Sequence, residues 1–323
     1  MFRKALLSTV VGVLTAAMPL GNVMADYPDK PLRFYVGFPP GGSTDTVARI
    51  IGPALEKRMG QTVVLDNRAG GGGYVGLEAV SRADPDGHTF GFGVSGALTV
   101  APTLRDDLSI DPHTDLVPVS GAVINPLVLA VHKDKGINTL QEYIDAAREQ
   151  GGMTYGTAGP GTAMHLAGEL LAKMTETDLT HIGYRGNGPA MSDVLGGHVD
   201  SVILDVTTLK PHVEEGTLVA LGVTSPQRTE LAPDYPTFQE SGVDGYDVSS
   251  WFGVLTTAGT PPDVVAKLNE HIVAVLKDPE VSRRLLEAGL EPAPSTPEEF
   301  KTMIMSQFTT YAELIKSADL GGN

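Results

Sequence analysis

Apolar runs alternate with amphipathic segments along the chain, and three of these alternations have the form strand, glycine-rich loop, helix. In the first unit an apolar strand at 32–37 leads through the loop 38–43 into a helix. Apolar residues three and four positions apart form the inward face of this helix, which Gly60 should end. Ser43 or Thr44 is suited to cap its first turn, because a hydroxyl oxygen there can accept from a free backbone N–H.

Two further units follow the same plan. The second covers residues 153–174, and its helix should place three leucines and Met174 inward. The third covers residues 180–195, where Gly188 followed by Pro189 predicts the start of the helix. Each loop brings glycines to the place where a strand ends and a helix begins.

Strands and helices that alternate at this spacing predict an α/β fold, with mainly parallel sheets and helices on both faces. Ligands of such sheets bind beyond the carboxyl ends of the strands, where all three loops lie. The apolar segment 117–134, broken at Asn125-Pro126, predicts a crossover between two lobes, and a return is expected between Val223 and Gly259. Lobe 1 is then expected to comprise residues 26–124 and about 225–323, and lobe 2 residues 125–224. The lobe to which the C-terminal helices belong stays open.

The first 25 residues have the layout of a secretory signal peptide. Arg3-Lys4 precedes an apolar run from Ala5 to Ala17, and small or apolar residues precede a cut before Asp26. The run is too short to predict a membrane span. An uncleaved anchor or a buried first helix is the alternative, but an exported protein is the expectation.

Charge and cysteine content narrow the function classes. The chain has 323 residues, with 23 Lys and Arg, 39 Asp and Glu, and no Cys. Its first 25 residues hold two bases and no acid, so their removal leaves a net charge of −18. This disfavours nucleic acid and anionic membranes as partners, but a local array of N–H groups can still bind a small anion. The lack of Cys excludes disulfides and thiolate chemistry.

Motifs for catalysis or cofactor binding are weak. Residues 71–76, GGGYVG, have the G-x-G-x-x-G spacing of a dinucleotide-binding loop. The acidic residue that should end the next strand is missing, so we prefer a tight glycine connection into a helix that begins near Tyr74. Ser95 lies in GVSGA, which lacks the second glycine of a nucleophile elbow. His165 is expected to pack or cap rather than to catalyse. We predict no cofactor and no metal, and the three loops before helix N-termini favour anion binding.

Several segments resemble the substrate-binding proteins of tripartite tricarboxylate transporters, also called Bug receptors. They include YPDKPLRFYVGFPPGGSTDTVAR, LDNRAGGGG, YGTAGPGTAMHLAGELL, YRGNGPAMSDVLGGHVD and LDVTTLKPHVEEGTLVALGVTSPQR, in the family's order over nearly the whole mature chain. The resemblance implies a monomeric periplasmic binding protein with two α/β lobes of type II-like topology and no enzyme activity. It would capture a small carboxylate in the cleft between the lobes and deliver it to the membrane subunits of a tripartite transporter.

The resemblance also implies which groups surround the ligand. Family members hold a carboxylate through backbone groups, hydroxyls and ordered water, in the first loop and in loops of the second lobe. Carried over to this sequence, the ligand-binding set is Gly41, Gly42, Ser43, Thr44, Asp45, Ser95, Ala97, Leu98, Thr157, Ala158, Gly161, His165, Arg185, Gly186, Gly188 and Asp205. Asp205 is expected to contact the distal end of the ligand, with capping of a neighbouring helix as the alternative. Asn187 departs from the family, which usually has a small residue there.

Two other hypotheses stay open. An exported enzyme that acts on organic acids is disfavoured, because no nucleophile–base pair and no set of metal ligands is visible. A sensory protein that presents its ligand to a receptor would use the same binding chemistry. The sequence leaves open whether the ligand is a mono-, di- or tricarboxylate, an aromatic acid or an amino acid.

Overall fold

The structure is a computed structural model that describes residues 27–105 and 107–317. The predicted signal peptide lies outside the described residues. The strands are β1 (Leu32–Val36), β2 (Val63–Asn67), β3 (Thr89–Val94), β4 (Leu116–Ile124), β5 (Leu127–His132), β6 (Met153–Thr157), β7 (Leu179–Gly183), β8 (Ser201–Asp205), β9 (Leu218–Val223), β10 (Trp251–Thr257) and β11 (Glu291–Pro292). The helices are α1 (Ser43–Met59), α2 (Tyr74–Ser81), α3 (Ala101–Leu104), α4 (Leu140–Gln150), α5 (Ala163–Thr175), α6 (Asn187–Leu195), α7 (Val206–Glu214), α8 (Pro262–Leu276), α9 (Pro279–Glu287) and α10 (Pro297–Ser317).

The strands form two sheets, each with its own hydrophobic core. Lobe 1 is built on the order β11-β4-β10-β3-β1-β2, and lobe 2 on the order β7-β6-β8-β5-β9. In lobe 1, β1 is parallel to β2 and β3, and in lobe 2, β6 is parallel to β7 and β8. The strands that carry the chain between lobes run antiparallel to their neighbours, as β10 does beside β3 and β5 does beside β8. The two-lobe α/β fold is therefore as predicted, although the sheets are mixed rather than mainly parallel.

Two connections cross between the lobes. The first passes from β4 to β5 at Asn125 and Pro126, where the backbone N–H of Asn125 donates to Ser250 O at 2.9 Å. The second leaves β9 and reaches β10 only after a long segment, 224–250. Side chains of this segment enter the core of lobe 2, and the Tyr246 hydroxyl donates to Ala167 O at 2.6 Å. The return segment thus packs on lobe 2 before the chain re-enters lobe 1.

Helix α10 contacts both cores. Phe300 lies in the core of lobe 1, whereas Tyr311 lies in the core of lobe 2. Between them, Gln307 accepts from Trp251 Nε1 at 2.6 Å and donates to the Tyr311 hydroxyl at 2.9 Å. The helix therefore bridges the two lobes. None of the described helices is long and apolar enough to cross a bilayer.

The glycine-rich segment 71–76 is a packing element. Helix α2 begins at Tyr74, as predicted. A Cβ on Gly76 would lie 2.7 Å from Gly37 Cα, so glycine is needed where α2 crosses the end of β1. This close approach of helix and strand accounts for the spacing of the glycines without a nucleotide.

Three details of the predicted helices differ from the structure. Ser43 and Thr44 do not cap α1, whose N-cap residue is Gly42. Helix α6 begins at Asn187, two residues earlier than Pro189. On α5 the leucines are buried as predicted, but Met174 is 39% exposed. Gly60 ends α1 in the left-handed conformation, with φ 68°, as predicted.

Candidate ligand-binding site

A cavity of about 70 Å³ lies between the two lobes, at the ends of β1, β3, β6 and β7. Each lobe contributes the loops that lead into its helices. Its walls are formed by Phe38, Pro39, Pro40, Gly42, Ser43, Thr44, Val94, Ser95, Gly96, Ser250 and Phe252 on one side and Ala158, Thr162, Ala163, Met164, Gly186, Asn187, Gly188 and Pro189 on the other.

The first turn of α1 forms one wall of the cavity. Its N-cap residue Gly42 has an extended backbone, with φ −83° and ψ 172°, and carries no side chain that could accept from the helix. The first turn of α1 therefore has no side-chain cap, and it faces the cavity. The backbone N–H groups of Ser43 and Thr44 begin the helix at the cavity wall, and the positive end of the helix dipole favours an anion there.

Two helices of lobe 2 begin at the same cavity. Helix α6 has the N-cap residue Gly186, with φ 147° and no side-chain cap. Helix α5 is capped by Thr162, whose hydroxyl accepts from His165 N at 3.2 Å. Three helix N-termini thus converge on one small volume, and two of them lack a capping side chain. This arrangement is suited to a carboxylate or a similar small anion.

Asp205 connects the lobes from behind the cavity wall. It is fully buried, and its Oδ2 accepts from Ser43 Oγ of lobe 1 and from Asn187 Nδ2, both at 2.6 Å. Its Oδ1 accepts from the Thr208 backbone N–H at 3.0 Å and from the Thr208 hydroxyl at 2.8 Å, which caps α7. All four bonds come from neutral donors. Asp205 is therefore a helix cap and an interlobe contact, and it does not line the cavity.

Asp45 fixes the loop that precedes α1. Its Oδ2 accepts from the Gly41 backbone N–H at 3.0 Å and from Arg49 Nε at 2.7 Å, and its Oδ1 accepts from Asn67 Nδ2 at 3.0 Å. Burial alone would raise the pKa of Asp45, but the hydrogen bonds from Arg49, Gly41 and Asn67 outweigh it and hold the pKa below its usual value. Asp45 thus positions the loop 37–42 as an ionised carboxylate.

Gly161 and His165 border a second, larger groove of about 490 Å³ beside the cavity. The Gly161 backbone N–H donates to His165 Nδ1 at 3.3 Å, and the imidazole stacks on His181 with ring centroids 4.0 Å apart. Burial lowers the pKa of both histidines. Burial, and the repulsion that a protonated His165 would exert, lower the pKa of His181 to about 3. As a neutral ring, His165 positions the loop at the start of α5, which agrees with the predicted capping role.

The structure brings part of the predicted ligand-binding set to the cavity. Seven of its members line it: Gly42, Ser43, Thr44, Ser95, Ala158, Gly186 and Gly188. Nine do not: Gly41, Asp45, Ala97, Leu98, Thr157, Gly161, His165, Arg185 and Asp205. Of these, Ala97 and Leu98 are core residues, the Thr157 hydroxyl pairs with His181 Nε2 at 2.7 Å, and Arg185 is exposed.

The apolar part of the wall was missed by sequence reasoning. Phe38, Met164 and Phe252 line the cavity, together with prolines on both sides. Such residues carry no chemical motif, so only their position next to the glycine-rich loops could have identified them. Asn187 was noted as a departure from the family, and it does lie in the wall.

Glycines allow the two lobes to touch around the cavity. A Cβ on Gly96 of lobe 1 would lie 2.5 Å from both Ala163 N and Thr162 Cα of lobe 2. A Cβ on Gly72 would lie 2.8 Å from Pro160 O. These contacts are with backbone atoms, which cannot move aside as a side chain can, so glycine is required wherever the lobes meet this closely.

No charged side chain of the described residues lines the cavity. Across the ranges 27–105 and 107–317, no three histidine or acidic side chains are grouped as a metal site. The wall offers hydroxyls, one amide, backbone groups and apolar surface. Its geometry therefore supports binding of an anion and provides no paired acid and base for chemistry.

Comparisons with known proteins agree with this geometry. The family model described as "Tripartite tricarboxylate transporter family receptor" matches residues 47–320. A solved structure of the periplasmic binding protein BugD is 34% identical, with a TM-score of 0.85, and the match covers 91% of this chain and 99% of that one.

Two solved structures from Rhodopseudomonas palustris are also similar. Rpa4515 with adipate is 31% identical with a TM-score of 0.87, over 91% of this chain and 99% of that one. MatC with bound malate is 28% identical with a TM-score of 0.84, over 90% of this chain and 100% of that one. The family match covers most of the sequence, and the fold is that of the periplasmic binding proteins. The chain belongs to the tripartite tricarboxylate transporter receptor family, the Bug receptors.

Proposed function

We propose that this protein is a periplasmic receptor that holds a small carboxylate in the interlobe cavity and delivers it to a tripartite tricarboxylate-type membrane transporter. The observation that carries the proposal is the convergence of three helix N-termini on one uncharged cavity. Backbone N–H groups at such termini bind a carboxylate without any cationic side chain. The ligands named for Rpa4515 and MatC, adipate and malate, are both carboxylates.

The binding residues in this proposal are those whose backbone or hydroxyl groups face the cavity. The first turn of α1 supplies Ser43 and Thr44, and the first turn of α6 supplies Asn187 and Gly188. Ser95 is close to Ser250, with the two hydroxyls 3.5 Å apart, and either can bond to the ligand. Asp45, His165 and Asp205 act indirectly, because each holds a loop or a helix start in place.

The proposal includes a location, an assembly state and a division of the chain. The predicted signal peptide and the periplasmic relative BugD support export to the periplasm. The protein acts as a monomer, since one chain supplies both walls of the cavity. We place the lobe boundaries after residue 124 and near residue 249, because the return segment packs on the core of lobe 2.

A binding role is favoured over catalysis. The family and its solved relatives are solute-binding proteins. The carboxylate that accepts from the wall hydroxyl of Ser43, that of Asp205, does not line the described cavity and is held by three further hydrogen bonds. Binding by backbone groups and hydroxyls explains the wall without any reaction.

A panel of organic acids with their uncharged amides tests the proposal. At 100 times its dissociation constant, a ligand adds about 2.7 kcal/mol to the free energy of unfolding, which raises the melting temperature by several degrees. We expect at least one acid to raise the melting temperature while its amide does not, with no turnover of the acid by mass spectrometry. A panel in which no acid stabilises the protein, or in which an acid is consumed, would contradict the proposal.

A further inference from the structure

The side chains around the cavity are all uncharged. Three large apolar side chains, Phe38, Met164 and Phe252, form much of the wall beyond the helix ends. The polar side chains there are hydroxyls and the amide of Asn187, and several already have partners. The Ser43 hydroxyl and the Asn187 amide donate to Asp205, for example. Outside the helix N-termini, the polar side chains left for a ligand are the neutral hydroxyls of Thr44, Ser95 and Ser250.

The charge balance favours a single negative charge in the cavity. The positive potential there comes from the N-termini of α1, α5 and α6, which lie together and match one carboxylate. Asp205 lies directly behind Ser43 and Asn187, and no cationic side chain of the described residues pairs with it. A second carboxylate on the ligand would enter without a countercharge and close to this carboxylate, which is costly in a buried site.

The size of the cavity limits the rest of the ligand. Its volume of about 70 Å³ is less than half that of an engineered apolar cavity of about 150 Å³ that binds benzene. A carboxylate at the helix ends therefore leaves room for a short apolar body against Phe38, Met164 and Phe252. Each methylene buried there improves binding about fourfold.

We propose that the ligand of this receptor is a monocarboxylate whose apolar body has at most about three carbon atoms beyond the carboxyl group. The inference rests on the proposed carboxylate-binding function and specifies the substrate class. It sets this protein apart from Rpa4515 and MatC, whose named ligands, adipate and malate, carry two carboxylates.

Isothermal titration of the purified protein with matched acid pairs tests the inference. The pairs are butyrate with succinate, pentanoate with glutarate, and hexanoate with adipate, which differ only in the second carboxylate. We expect butyrate to bind at least tenfold more tightly than succinate, and pentanoate and hexanoate to bind more weakly than butyrate because the cavity has no room for a longer body. We also expect butyrate to bind about fourfold more tightly than propionate.

Charge inserted into the wall provides a second readout. Met164→Arg adds a cation to the cavity and should change the ratio of monoacid to diacid affinity at least tenfold in favour of the diacid. Met174→Arg is the matched control, because it is on the same helix, is 39% exposed and lies outside the cavity wall. If Met164→Arg does not fold, Phe38→Lys at a half-buried wall position makes the same test.

The possible outcomes separate the two proposals. A diacid that binds the native protein as tightly as its monoacid overturns the inference on substrate class and leaves the carboxylate receptor intact. Binding of neither member of any pair, nor of any other acid, overturns both. Tight binding of monoacids with the expected preference, reversed by Met164→Arg and not by Met174→Arg, supports both.

Discussion

Helices α1 and α7 begin on opposite sides of the cleft, and their first turns are completed in different ways. The first turn of α7 is capped by the carboxylate of Asp205, which belongs to the protein itself. The first turn of α1 follows Gly42 and has no side-chain cap, although serine and threonine stand next in the sequence. The two helix starts are linked by one hydrogen bond, from Ser43 Oγ to Asp205 Oδ2.

The difference shows two ways in which a first turn near the cleft is completed. Helix α7 carries its own acceptor in Asp205, as α9 does elsewhere with Asp278. Helices α1 and α6 present glycine at the N-cap and open on the cavity, so their N–H groups are available to a carboxylate from outside.

The largest effect is expected at Asp205. Asp205→Asn retains the shape but replaces one acceptor oxygen with an NH₂ group, which faces donors from Ser43 and Asn187 or from Thr208. We expect the free energy of unfolding to fall by about 2–4 kcal/mol, since buried donors lose their partner. Denaturant titration measures the change.

Asp278→Asn is the matched control for this experiment. Asp278 caps α9 through Oδ1, which accepts from Glu280 N at 2.9 Å and Val281 N at 3.2 Å near the surface. Asn caps helices about as well as Asp, so a change of less than about 0.5 kcal/mol is expected. Equal effects of the two substitutions would show that Asp205 is an ordinary cap without an interlobe role.

A smaller effect is expected from Gly96→Ala. The new Cβ would lie 2.5 Å from the backbone at the start of α5, so the lobes cannot approach as closely as in the structure. We expect carboxylate affinity to fall at least tenfold, or about 1.4 kcal/mol, while the melting temperature without ligand changes little.

Gly188→Ala is the control for this steric effect, because it also replaces a glycine of the cavity wall but creates no clash between the lobes. Gly188 also lines the cavity, but a Cβ there meets no atom within 4 Å. Titration of both variants with the tightest-binding acid should therefore show near-native affinity for Gly188→Ala alone. If Gly96→Ala binds equally well, closure of the lobes in this form is not needed for binding.

The last prediction concerns pH. Burial lowers the pKa of His181 to about 3, so the unfolded chain takes up a proton near pH 6.5 before the folded protein does. The contribution of His181 to stability is therefore complete above about pH 6.5 and is lost progressively as the pH falls toward 3. The free energy of unfolding changes by at most about 1.4 kcal/mol per pH unit in this range, and partial exposure of the ring reduces this change.

His181→Gln should show a flatter decline of melting temperature between pH 6.5 and pH 4 than the native protein. The variant removes the titrating group from the contact with Thr157 and from the stack with His165, whose Nε2 is 3.6 Å from Glu169 Oε1. His198→Gln replaces an exposed histidine of the same lobe and serves as the control. Parallel curves for all three proteins would argue against a buried neutral His181.

Much of the fold could be predicted from sequence because it depends on local signals. Glycine after a periodic helix marked the end of α1 at Gly60, and the break at Asn125-Pro126 marked the crossover between sheets. The antiparallel strand β10 could not be assigned, since its pairing with β3 and β4 depends on residues more than 100 positions away.

The site was predicted less completely for the same reason. Glycine-rich loops indicated where the backbone is open, and Gly42 and Gly186 of these loops line the cavity. Ser43 and Asp205 lie 162 residues apart in sequence, so the hydrogen bond that engages the Ser43 hydroxyl could not be predicted from local signals. Tertiary structure, rather than local propensity, decides which polar group is used as a cap.

The central claim is that the N-termini of α1 and α6 bind the carboxylate of the ligand. Amide chemical shifts of the ¹⁵N-labelled protein test it directly, with butyrate and butyramide added in turn. We expect the amide resonances of Ser43, Thr44, Asn187 and Gly188 to move downfield with butyrate and not with butyramide. The Thr208 amide, which already donates to Asp205, should hardly move. Saturating binding of butyrate that leaves the α1 and α6 amides unchanged would contradict the account.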